Sequence, residues 1–212
     1  MPDLSERLDE ALSDVPIVAI LRGIEPEDAI AVSEIVFAAG IRVIEVPLNS
    51  PRPFESIERL ASAFAGRAIV GAGTVLSADD ARAVAASGGK IAVAPNTDPT
   101  VIGAAIEAGV EPLPGWMTVS EALAAYAAGA RHLKLFPAST VGAGHIAAAR
   151  AVLPNDTRLL AVGGVGAENS REWADAGIDG YGIGSELYKP GRSLNDIGAR
   201  ANACVAALRR GQ

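Results

Sequence analysis

Two ionisable residues stand where apolar ones are expected. Lys134 is flanked by Leu133, Leu135 and Phe136, and Glu45 lies within Val43-Ile44-Glu45-Val46-Pro47. A lysine buried in such surroundings is biased toward its neutral form, so it presents a free amine able to attack a ketone. Burial pushes a carboxylate the other way, toward a group that takes and returns a proton near neutral pH. The alternative is purely structural: a snorkelling lysine, or an ion pair between the two residues. Residue types leave both open, and geometry has to separate them.

Other polar or conformationally special residues follow apolar runs of the same kind. Arg22 closes the first run and could clamp a carboxylate or phosphate with two parallel hydrogen bonds, although a surface salt bridge is its ordinary fate. Thr74 follows the third run, and Pro95 and Asn96 follow the fourth. Lys134 lies on the sixth, sharing a face with His132 and Phe136 by strand alternation. Gly163-Gly164-Val165 and Gly182-Ile183-Gly184-Ser185 follow the last two runs. Paired glycine loops leading toward helix starts leave N–H groups free for phosphate, whereas a single such loop is equally well a tight turn. Gly71 and Gly73 form a G-x-G without a third glycine, which reads as a tight turn rather than a dinucleotide site.

The elements that must carry these residues repeat regularly. Short apolar or β-branched runs at 17–20, 43–46, 69–71, 91–94, 111–113, 133–136, 159–162 and 180–183 are eight candidate strands. Ala-rich amphipathic stretches lie between them, for example at 26–39, 78–87, 99–108, 118–128 and 167–176. Many close on a glycine: Gly40, Gly88, Gly109, Gly129 and Gly177. The strand spacing is roughly 20 to 27 residues, room for one strand and one crossover helix per unit. Eight such units predict an α/β fold, a closed (β/α)₈ TIM barrel, with active-site residues at the C-terminal ends of the strands. Residues 1–14 show helical spacing and predict an extra N-terminal helix at the barrel bottom.

The chain has 212 residues, half of them hydrophobic, and no linker divides it, so a single domain over 1–212 is expected. A net charge of -7 offers no field for nucleic acid. Cys204 is the only cysteine, and His132 and His145 are the only histidines, which disfavours an internal disulfide and a metal-dependent route. Neither a secretory signal nor a membrane-spanning run is apparent, and a cytoplasmic protein without membrane partners is expected.

The chain resembles the 2-keto-3-deoxy-6-phosphogluconate and -galactonate aldolases, which are pyruvate-forming class I aldolases. The likeness rests on Ile20-Leu21-Arg22-Gly23, Glu45-Val46-Pro47-Leu48-Asn49-Ser50-Pro51, Gly71-Ala72-Gly73-Thr74-Val75, Ala94-Pro95-Asn96, Leu113-Pro114-Gly115, Leu133-Lys134-Leu135-Phe136-Pro137 and Ala161-Val162-Gly163-Gly164-Val165. It implies Lys134 as the imine-forming lysine and Glu45 as the proton carrier, acting through a bound water. It implies Arg22, Thr74 and Pro95 around the substrate carboxylate and imine, Phe136 beside the lysine, and Gly163, Gly164, Gly184 and Ser185 around the phosphate. It further implies a homotrimer and no cofactor. Asn49 and Val162 stand where the gluconate enzymes carry Arg and Thr, so the resemblance points to the galactonate branch, although Val162 is equally well a barrel-core valine. The competing readings are the gluconate epimer or both epimers, a phosphosugar isomerase or epimerase, and a non-catalytic sugar-phosphate binder.

Overall fold

The computed structural model describes residues 3–209. Nine strand segments among them form one parallel sheet: β1 (Ile17–Ile20), β2 (Val43–Pro47), β3 (Ile69–Gly73), β4 (Ile91–Val93), β5 (Glu111–Leu113), β6 (Gly115–Trp116), β7 (His132–Leu135), β8 (Arg158–Val162) and β9 (Gly180–Ile183). Their order is β5-β4-β3-β2-β1-β9-β8-β7-β6. The two ends of that order, β5 and β6, are consecutive in the chain and separated only by Pro114, so the sheet curls into a nearly closed barrel. Proline lacks the N–H that a continuous ladder would use. Its carbonyl still serves the next strand, accepting from the Lys134 N–H at 2.9 Å. The eight predicted strands are therefore corrected to nine segments, and Lys134 lies on the seventh rather than the sixth.

Alternation along each strand divides the apolar residues into two layers. Val18, Val43, Ile69, Ile91, Val93, Leu113 and Leu160 point into the barrel, where they meet Leu8 and Leu12. Ile17, Ala19, Ile44, Val46, Val70, Leu133, Leu135 and Leu159 point outward into the layer shared with the helices. The outer helices include α2 (Pro26–Ala38), α3 (Pro53–Ala63), α4 (Ala78–Ala86), α5 (Pro99–Glu107) and α6 (Val119–Ala127). Proline in the first turn starts α2, α3 and α5, and Ser77, Asp98 and Thr118 cap α4, α5 and α6 with side-chain oxygens. The predicted helix at 167–176 is broken into a 3₁₀ turn over Ala167–Asn169 and a helix at Ser170–Asp175. The Asn169 side chain folds back onto its own loop, accepting from the Gly166 N–H and donating to the Gly164 carbonyl, which ends the first turn early.

The helix α1 (Leu4–Ala11) carries Leu8, and Leu12 caps its end; both enter the interior layer. A capping box between Asp3 and Glu6 starts it. Asp9 anchors it through His132, which is fully buried at the first position of β7. His132 Nε2 lies 3.1 Å from Asp9 Oδ1 and Nδ1 lies 3.1 Å from Glu111 Oε1. Two carboxylates on opposite ring nitrogens call for both N–H groups and hence an imidazolium. Burial opposes that charge, but the hydrogen bonds to Asp9 and Glu111 outweigh it and raise the His132 pKa. Glu111, His132 and Arg158 each open a strand, so this cluster and α1 lie at the N-terminal end of the barrel.

Candidate active site

Glu45 and Lys134 occupy the interior face one step above the apolar layer, on β2 and β7. They are 3% and 8% exposed, among the few buried charged side chains of the described residues. Glu45 Oε2 has no hydrogen-bond partner among those residues, and no ion pair joins the two side chains, which attract each other at longer range. Burial raises the Glu45 pKa to about 7, against the opposing pull of Lys134 and Arg22. Burial lowers the Lys134 pKa to about 8, offset by Glu45 and reinforced by Arg22. Two groups of opposite type thus titrate within the same range, which suits proton transfer better than a permanent ion pair.

Glycine makes room for the Glu45 side chain and for the backbone beside Lys134. Gly71 and Gly73, read from sequence as a tight turn, are instead inside β3, paired with β2 at Glu45 and Pro47. A Cβ on Gly73 would overlap Oε1, Oε2 and Cδ of Glu45. The turn begins one residue later, at Thr74, whose φ of 58° is unusual for a β-branched residue. On the other side, Gly115 pairs with Lys134, and a Cβ there would overlap the backbone of Pro95. Thr97 Oγ1 donates to the Gly115 carbonyl at 2.8 Å and ties the 95–97 loop to the same place. Thr74 thus follows the glycine that faces the Glu45 carboxylate, and the Pro95 backbone lies against the glycine that pairs with Lys134. The Lys134 Nζ sits 4.6 Å from the centroid of the Phe136 ring.

Six other sequence-selected residues line one cavity of about 880 Å³: Arg22, Val162, Gly163, Gly164, Gly184 and Ser185. Glu45, Lys134, Thr74, Pro95 and Phe136 are not on its wall, and Phe136 connects the two groups by packing against Gly163. Gly163 and Gly164 have φ values of 92° and 75°, a conformation open to glycine at no steric cost, and a Cβ on Gly164 would overlap Ser139. Asn96 stays outside the cavity. No group of three or more potential metal-ligating side chains occurs among the described residues, and no helix there is long and apolar enough to cross a membrane.

Three features escaped residue-by-residue reading. Asn49 accepts from Arg22 Nη1 at 2.7 Å, and Ser50 Oγ accepts from the Gly23 N–H at 2.9 Å, so the loops after β1 and β2 are locked together. The spacing of Asn49 four residues after Glu45 was visible, but its partner was not. Gly73 acts through a contact with β2 that sequence cannot display. Glu186 follows directly on Gly184-Ser185, and its carboxylate turns back over Gly166 and Ala167.

The family model described as KDPG and KHG aldolase matches residues 8–196. A probable 2-dehydro-3-deoxy-6-phosphogalactonate aldolase from Rhizobium meliloti (strain 1021) is 47% identical over 192 residues, 91% of this chain and 91% of that protein. The 2-dehydro-3-deoxy-6-phosphogalactonate aldolase of Escherichia coli (strain K12) is 44% identical over 92% of this chain and 95% of its own length. A solved structure described as native KDPGal superposes with a TM-score of 0.89 at 44% identity, covering 91% of this chain and 94% of that one.

Proposed function

Because the chain belongs to the KDPG and KHG aldolase family, we propose that its barrel catalyses the reversible cleavage of 2-dehydro-3-deoxy-6-phospho-D-galactonate to pyruvate and D-glyceraldehyde 3-phosphate. The observation that carries this reading is the buried, unbonded pair Glu45 and Lys134, whose pKa values converge on about 7 and about 8. With a pKa of about 8, about one Lys134 amine in ten is neutral at pH 7, against about one in three thousand for an ordinary lysine.

The neutral Nζ adds to the C2 ketone, and the resulting carbinolamine takes up a proton from solvent and loses its hydroxyl as water, leaving a protonated imine. Glu45 takes the proton of the C4 hydroxyl as the C3–C4 bond breaks, and the bonding electrons flow into the iminium to give an enamine and the aldehyde. The protonated Glu45 then returns that proton to C3, and water hydrolyses the pyruvate imine to free Lys134. The protonated imine is the electron sink, so the scheme calls on no metal or organic cofactor. Arg22, oriented by Asn49, faces the substrate carboxylate together with Thr74 and Pro95, and Phe136 packs beside the imine. Val162 borders the sugar carbons. The N–H groups of Gly163, Gly164, Gly184 and Ser185 receive the phosphate, a grouping supported by the cavity wall these four residues share.

The same reading takes the barrel as a single domain working as a cytoplasmic homotrimer, which sedimentation of the purified protein tests. The chemistry is tested by incubation with pyruvate and borohydride followed by peptide mass mapping. A reduced pyruvyl adduct is expected on Lys134 and none in Lys134→Met. Folded, active protein without an adduct would exclude imine chemistry and bring an isomerase forward. Rates on the two C4 epimers then decide the galactonate assignment, with the galactonate faster.

A further inference from the structure

The glycine loop after β8 already faces an anion of the protein itself. Glu186 is half-buried on the wall of the large cavity, immediately after Gly184-Ser185. Its Oε1 accepts from the Ala167 N–H at 3.4 Å, and its carboxylate lies against Gly166, where a Cβ would overlap it. No ion pair among the described residues joins this carboxylate to the neighbouring arginines. Arg192 Nη1 and Arg200 Nη1 donate to the Glu186 backbone carbonyl at 3.0 and 3.2 Å, while their Nε atoms face Asp196. Residue 186 is therefore fixed in place by its main chain, and its carboxylate is left without a cation partner among the described residues.

A carboxylate held this way lies on the same cavity wall as the Gly163, Gly164, Gly184 and Ser185 N–H groups assigned to the phosphate. The Gly166 N–H is already taken by Asn169 Oδ1 at 3.0 Å, so the Ala167 N–H is the one that Glu186 holds. A phosphate dianion entering the same cavity meets a like charge at close range in a partly enclosed site, where such repulsion is weakly screened. We propose that Glu186 is an internal competitor for the phosphate end of the substrate, occupying the loop in the empty enzyme and giving way when phosphate binds. Its function is to weaken the hold on phosphate, so that the phosphorylated product and free phosphate do not block the site. This inference rests on the assignment of the phosphate to the 163–164 and 184–185 loops.

Two variants remove the competitor by different routes. Glu186→Gln keeps the shape and discards the charge. Gly166→Ala places a methyl group where the carboxylate lies and drives it out, at a residue whose φ of -179° any amino acid adopts. Calorimetric titration with inorganic phosphate is expected to show weak binding to the unmodified protein and roughly tenfold tighter binding to Glu186→Gln, the size of one like-charge contact relieved. Gly166→Ala is expected to move in the same direction. Unchanged or weaker phosphate binding in folded Glu186→Gln, as circular dichroism would verify, overturns the competitor role while leaving the phosphate site standing. If phosphate binds to none of the three proteins, the loop assignment itself fails and takes this inference with it.

Discussion

Substituting Gly73 by alanine tests whether Glu45 must stand where it does. The added Cβ would lie well inside 3.0 Å of Oε1, Oε2 and Cδ of Glu45, closer than side-chain carbons approach other atoms. Restoring van der Waals contact at about 3.5 Å requires the carboxylate to retreat by about 1 Å. The β3 backbone cannot yield instead, because Gly73 is held in the ladder between Pro47 of β2 and Val93 of β4. A displacement of about 1 Å in a proton-transfer group costs about 10²-fold in rate. The overlap also costs about 1 to 3 kcal/mol of stability, measurable by urea denaturation. Cleavage is followed by coupling released pyruvate to lactate dehydrogenase. The kcat of Gly73→Ala is expected to fall about 10²-fold, while Lys134 remains trappable with pyruvate and borohydride, since the substitution does not touch it. A kcat within threefold of the unmodified protein, with the fold intact, would refute the claim that this glycine positions the proton carrier.

Two further outcomes follow from the charged groups. In the proposed scheme both Glu45 and Lys134 lose a proton to act, so kcat/KM should rise from pH 6 to pH 8 along an acid limb set jointly by values of about 7 and about 8; a flat profile over that range contradicts the assignment. At the opposite end of the barrel, the raised pKa of His132 means that its stabilisation is complete below its unfolded value of 6.5 and fades as pH rises through the folded value. Asp9, held near 2 first by its hydrogen bond to His132, against burial, and then by Arg158, contributes above 3.8 and loses its contribution as pH falls toward 2. His132→Phe leaves Asp9 and Glu111 facing an uncharged ring and should cost about 3 kcal/mol in urea denaturation at pH 6, and much less at pH 9. Equal losses at both pH values would show that packing, not charge, is what the histidine supplies.

Much of this is legible in the amino-acid sequence. The β1, β5 and β9 runs coincide with the observed strands; for β1, Ile17-Val18-Ala19-Ile20, the reason is that a continuous apolar run bounded by turn residues is what a strand buried on both faces requires. Lys134 and Glu45 stood out for the same reason, as charges inserted in such runs. The split at Pro114 was hidden, since two residues of strand after a proline carry no periodicity of their own. The Gly71-Ala72-Gly73 segment was misread because glycine signals a turn locally, whereas here it answers a side chain from the neighbouring strand.

Sequence by itself thus determined which residues could do chemistry, which runs would pair, and that the strands would alternate with helices, since each depends on residue type and on spacing along the chain. Tertiary structure decided that Glu45 and Lys134 share one interior without forming an ion pair, that Gly73 makes space for the carboxylate, that Asn49 orients Arg22, and that Glu186 lies over the glycine loop. These are contacts between residues many positions apart, and the burial that moves the two pKa values exists only once the barrel has curled around them.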